Sequence, residues 1–213
     1  MTARPVARPR SASFDEQLDR ILAAAARLFA TRGYTATTMN DVAAACGISK
    51  ATLYHYVNDK QGLLLRITAG HVERLEALVL AVAALRLPPQ AVLRELILRF
   101  MAAYASAEDR HRVLTEDVKF LEPADRERVL AGQRRVLAAF AEAVAALRPD
   151  LGAAHLHKPL AMLLFGMINW TFTWMRAGGA LSHDALAPVV ADLFFGGLPA
   201  VAAPAPRRLH QRR

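Results

Sequence analysis

GISKATLYHYVNDK, residues 47–60, decides the fold of this 213-residue chain. It places a glycine, two tyrosines, a histidine and two lysines beside a short helix-like pattern, and few of these residues suit a core. The preceding segment, Thr38 to Cys46 (TMNDVAAAC), reads as a short helix opened by Thr38, with Asp41 in the capping-box position. Gly47 stops that helix, and Ser49 opens another, KATLYHYV, running to about Val57. Gly47 tolerates the positive φ that a three-residue turn between crossing helices requires. Two short helices joined in this way form a helix-turn-helix, with Val42, Ala43, Cys46, Ile48 and Leu53 as its inner face.

With those residues inside, Lys50, Ala51, Thr52, Tyr54, His55 and Tyr56 are left for the outer face. Such a set suits duplex DNA. Lys50 supplies charge, the hydroxyls of Thr52 and the tyrosines reach phosphates, and His55 can donate or accept at a base edge. Ala51 keeps the helix start slim enough to approach a groove. Lys60, at the start of the next helix, is expected to grip a phosphate together with that helix's backbone N–H groups.

Working outward, Phe14, Leu18, Ile21, Ala25 and Leu28 form one helical stripe, with Ser13 as the expected cap and Gly33 as the stop. A fourth helix is expected from Asp59 toward Leu87, ended by Pro88-Pro89. Further helices are expected near 90–106, 109–120, 123–147, 156–177 and 183–198. The fold class is therefore all-α, with about nine helices and no strand. Formal charge is +8, of which residues 1–75 carry +4 (ten Lys/Arg against six Asp/Glu) and the tail Arg207, Arg208, Arg212, Arg213 another +4. A basic end on a neutral body suggests a polyanion-binding module joined to something else. Cys46 is the single cysteine, which excludes a disulfide framework and a cysteine-based metal site. The Arg/Pro-rich start has no apolar run of the secretory kind, so a cytoplasmic setting is expected.

The run ILAAAARLFATRGYTATTMNDVAAACGISKATLYHYVNDKQGLL, residues 21–64, resembles the N-terminal pattern of the TetR family of bacterial repressors. The match rests on Phe29, Gly33, Thr38, Val42, Ala43, Gly47, Ser49, Thr52, Leu53, Tyr54 and Lys60, without a gap. Val57 departs from it, standing where the family commonly has Phe. The resemblance implies phosphate contacts from Thr38, Tyr54, Tyr56 and Lys60, with Lys50, Ala51, Thr52 and His55 in or beside the major groove. It also implies a basic arm over 1–13, a DNA-binding domain over 14–62 (motif about 38–57), a ligand-binding and dimerisation domain over 63–200 and a basic tail over 201–213. The last two helices would pair with their mates in a homodimer, through Gly166, Leu186, Val189, Val190, Leu193, Phe194 and Gly197.

Residues 163–186 (LLFGMINWTFTWMRAGGALSHDAL), with 114–129 before them, are similar to the branch of the family that responds to acyl-CoA thioesters. That similarity implies release from a palindromic operator by an acyl-CoA of a fatty, aromatic or steroid degradation pathway. Met101, Phe120, Leu121, Met162, Met167 and Trp170 would line an acyl tunnel, and Trp174, Arg176, Arg134 and Arg135 would meet the polar end. A repressor of an efflux system that senses hydrophobic drugs is a second reading of the same architecture. A small helical enzyme is a third, with His155, His157, His111, Glu116, Asp117 and Asp109 as its candidate groups. No phosphate loop, nucleophile elbow or zinc spacing supports the enzyme, and neither a metal nor a cofactor is expected. The near-uncharged run from Pro159 to Met175 is short for a membrane span and is better read as a buried helix.

Overall fold

The computed structural model describes residues 12–175 and 181–203, which form helices joined by turns and loops, without a strand. Arg176, most of the N-terminal arm and the basic tail lie outside the described residues. The chain packs as two compact units: residues 12–71 with 109–129, and residues 72–108 with 130–203.

The first unit opens with α1 (Ala12–Arg32). Leu18, Ile21, Ala25 and Phe29 of α1 are buried, a stripe that follows the 3.6-residue turn more closely than one passing through Leu28. Helix α1 already includes Ser13, so this serine lies inside the helix and is not its cap. Gly33, at φ +86°, ends it by donating its N–H to the Phe29 carbonyl at 2.9 Å. Then come α2 (Met39–Ala45), α3 (Lys50–Tyr54) and α4 (Lys60–Ala84), whose first half belongs to this unit. Helix α4 stops short of Leu87, and Arg86 adopts φ +50° ahead of the two prolines.

The sequence expectation of a continuous helix over 109–120 is replaced by α6 (Glu108–Glu116) and a 3-10 turn over Val118–Phe120. Pro123 then starts α7 (Pro123–Leu147). Several contacts pack this segment in the first unit. Phe120 stacks on Tyr34 at 5.3 Å between centroids, and Gln61 donates from Nε2 to the Phe120 carbonyl at 2.8 Å. His71 of α4 and His111 of α6 are both buried, with Nε2 and Nδ1 3.3 Å apart.

Asp117, at the junction of α6 and the 3-10 turn, is 7% exposed. Burial, reinforced by the neighbouring Glu116 and only partly offset by Lys119, pushes its carboxyl up to about 6. An acid whose folded value lies above its unfolded one disfavours the native state while ionised. That penalty is complete above about pH 6 and disappears as pH falls toward the ordinary value of 3.8. Asp117→Asn should therefore raise Tm at pH 7.5, and the gain should vanish near pH 4. His111, which burial and His71 hold down at about 3, loses stability over the same acid range. Because that loss is common to both proteins, the difference in Tm between variant and parent isolates Asp117.

The second unit holds the rest of α4, α5 (Pro89–Ser106), the remainder of α7, α8 (His157–Asn169), α9 (Thr171–Trp174) and α10 (His183–Gly197). Its core centres on three rings: Phe140 lies 4.9 Å from Phe100 and 4.6 Å from Phe165. Ser182 caps α10 by accepting the Ala185 N–H at 3.1 Å. The single helix expected over 156–177 is broken at Trp170. Thr171 and Thr173 bond their hydroxyls back to the Ile168 and Trp170 carbonyls, both at 2.7 Å, and such back-bonding bends a helix. Among the described residues no helix is long and apolar enough to cross a membrane.

Candidate nucleic-acid interface

Helices α2 and α3 are held at their starts by side chains. The Thr38 hydroxyl accepts the Asp41 N–H at 3.2 Å while Asp41 Oδ2 accepts the Thr38 N–H at 2.8 Å, a reciprocal box that also holds the Asp41 carboxyl below its usual range. Ser49 accepts the Thr52 N–H at 3.0 Å, and the two hydroxyls lie 2.8 Å apart. Between the helices Gly47 takes φ +65°, and the Ile48 N–H reaches back to the Ala43 carbonyl at 3.1 Å. Any other residue at 47 would be strained in that left-handed turn. Val42, Ala43 and Leu53 are buried, and Cys46 and Ile48 half-buried, which leaves α3 clamped on its inner side. Val57 is buried as well, at 2% exposure, so the smaller side chain still seals the site beneath α3. Burial raises the Cys46 thiol above its ordinary value, the mark of an inert residue.

On the opposite side Thr38, Lys50, Ala51, Tyr54 and His55 are exposed. Thr52 and Tyr56 are half-buried, and the Tyr56 ring is stacked on Phe14 of α1 at 4.6 Å. Chemically, this face offers a cation, hydroxyl donors and an imidazole on a slim helix that cannot shift without breaking its caps.

Lys60 has partners that sequence reasoning missed. Its Nζ donates to the carbonyls of Tyr34 and Thr37 at 3.0 Å and of Thr35 at 3.4 Å, and lies 4.3 Å from the Tyr34 ring centroid. The ammonium thus clamps the turn between α1 and α2. The N–H of Gly62 in the first turn of α4 is taken by Asp59 at 2.7 Å, so a carboxylate already occupies the helix start where a phosphate was expected. Tyr34, lying between Lys60 and Phe120, is the residue that links this turn to the 3-10 turn. The signal in the sequence was only an aromatic placed directly after the Gly33 stop.

The residues expected to form the acyl tunnel fall in both units. Phe120 and Leu121 belong to the first unit, whereas Met101 is fully buried in the core of the second. Met167 is half-buried, but Met162, Trp170 and Trp174 are 54%, 67% and 51% exposed and so do not line an enclosed space. Arg135 is paired with Glu76 at 2.5 Å, and Arg134 lines an open groove beside the start of α8.

Two of the expected interface residues also face elsewhere. Val190 and Phe194 are buried in the core of their own unit, because the inner stripe of α10 runs through Ala187, Val190, Ala191 and Phe194. Val189, Leu193 and Gly197 are exposed, Leu186 is half-buried, and Gly166 is exposed on α8 beside Met162, Leu163 and Trp170. Both helices thus leave an apolar face uncovered.

Two family models cover most of the chain: residues 21–67 match that described as bacterial regulatory proteins of the tetR family, and residues 86–198 match a tetracyclin repressor-like C-terminal domain. The solved structure of a TetR-family transcriptional regulator from Bordetella parapertussis 12822 is 34% identical, with a TM-score of 0.81 over 92% of this chain and 100% of that one. The HTH-type transcriptional repressor KstR2 of Rhodococcus jostii (strain RHA1) is 26% identical over 84% of this chain and 89% of that protein. AibR, solved in complex with isovaleryl coenzyme A and operator DNA, has the same fold, with a TM-score of 0.71 at 24% identity over 83% of this chain and 97% of that one.

Proposed function

The chain belongs to the TetR family, making it a DNA-binding transcriptional regulator and not an enzyme, and on that premise we propose that it is a homodimeric repressor released from a palindromic operator by an acyl-CoA thioester. The observation that carries the DNA half is the capped α2–turn–α3 with Lys50, Ala51, Tyr54 and His55 exposed on one side. In the proposed complex α3 enters the major groove, His55 reads a base edge, and Thr38, Tyr54 and Tyr56 hold phosphates. The uncovered apolar faces of α8 and α10 support the dimer. The effector class is supported by the complex of AibR and by the run from Leu163 to Leu186. Release needs only that the ligand prefer the conformation that binds DNA poorly, and couplings of roughly 1–3 kcal/mol are typical.

Fluorescence anisotropy of an operator duplex tests both halves. Octanoyl-CoA should dissociate the complex where octanoate does not, and indifference to every CoA thioester removes the effector reading. In the same assay Lys60→Ala should weaken all sequences alike. If Lys60 leaves its carbonyls to meet a phosphate, the salt slope falls by about 1; if it only holds the turn, affinity falls with the slope unchanged.

A further inference from the structure

Residues of α7 and of the loop leading into α8 enclose an open groove of about 720 Å³ within the second unit. Its floor is apolar and low: Leu137, Ala138, Ala141 and Ala145 lie along one side of α7, and the alanines leave the space that larger residues would fill. The rim is cationic. Arg134 stands at one end and Lys158 in the first turn of α8, with His155 in the loop before α8 and His157 as its first residue. Glu142 is the only acid among the lining residues, two helical turns from Arg134 and so about 12 Å along the axis.

The local backbone is shaped to hold this rim. His155 sits at φ +54°, a region that non-glycine residues seldom occupy and that recurs where ligands are clamped. The His157 ring is anchored by its Nε2 hydrogen bond to the Arg148 carbonyl at 2.8 Å. Helix α8 begins here without a side-chain cap, adding the partial positive charge of its first turn to the same rim.

An apolar floor of this volume beneath a cationic rim fits a small ligand with an apolar body and an anionic head. We propose that the groove binds such a ligand, a phosphate or carboxylate carried on an apolar body. The inference rests on the reading that the second unit takes a small effector. It assigns the anionic end of that effector to Arg134 and Lys158.

The test is isothermal titration calorimetry of the full chain with octanoyl-CoA, CoA and octanoate. At least one of the three should bind. The double variant Arg134→Ala/Lys158→Ala should weaken it at least about tenfold, since a hydrogen bond to a charged group is worth about 1.5–3 kcal/mol. Because Ala138 is exposed, Ala138→Trp can fill the floor without disturbing the core, and it should abolish binding. Binding by CoA but not octanoate identifies the head as phosphate, and the reverse identifies it as carboxylate. Failure of all three probes to bind, or equal binding by both variants and the parent, overturns the site. Failure of operator release with these variant effects intact counts against the effector reading and leaves the groove standing.

Discussion

A Leu193→Glu chain should sediment as a monomer, keep its helical circular dichroism and bind operator at least about 100-fold more weakly than the parent. Leu193 is 67% exposed in the chain and shares its side of α10 with Val189, at 55%. A glutamate there meets solvent in the monomer, so folding is undisturbed. In the proposed bundle the same carboxylate would be buried against Met162, Leu163 or Trp170 of a second copy, and an unpaired buried charge is not tolerated. Dimerisation is also what gives a two-headed regulator its affinity: joining two half-site binders typically gains a factor of 10²–10⁴. Leu80, exposed at 70% on α4, supplies the control. Leu80→Glu should stay dimeric and bind DNA normally. Sedimentation velocity and operator anisotropy on the two variants check both statements, and a Leu193→Glu chain that remains dimeric places the interface elsewhere.

The largest expected loss of stability follows Phe140→Ala. Phe140 has no exposed surface, and its ring touches both Phe100 and Phe165 at distances where edge-to-face and tilted pairs are favourable. Truncation removes those contacts and leaves a cavity among three helices that are pinned by their own cores. Such Phe→Ala changes cost about 3–5 kcal/mol, a large share of the roughly 5–15 kcal/mol that holds a typical domain folded. Urea unfolding followed by circular dichroism should show a lowered midpoint. With two compact units the transition should be fitted without assuming two states.

How much of this was legible from the sequence depends on the range of the interaction. Thr38 with Asp41, Ser49, Gly33 and Gly47 were readable because a cap or a left-handed turn is decided within four residues. The partners of Lys60 were not, since they lie 23 to 26 residues away and a lysine near a helix start is equally suited to phosphate. The attachment of residues 109–129 to the first unit uses pairs such as Gln61 with Phe120, 59 positions apart, which no local pattern encodes. On α10 apolar residues occur on several sides, so periodicity alone could not separate the inward Val190 and Phe194 from the outward Val189 and Leu193. Neighbouring residues differ by only about 100° around the axis. The break after α8 was hidden because the apolar run continues through it, while the threonine hydroxyls that turn back to the backbone there leave no mark on the pattern. The groove was equally hidden, as no local pattern places His155 and His157 in one lining with Arg134.

Selection of bound duplexes from a random-sequence pool tests whether the chain reads a symmetric operator through α3. A two-fold symmetric sequence should be enriched, with half-sites about one helical turn, or 34–36 Å, apart. His55→Ala should relax the preference at particular bases while the symmetry and spacing persist. A pool that yields no enriched sequence, or one whose base preferences are untouched by changing His55, contradicts recognition of an operator through α3.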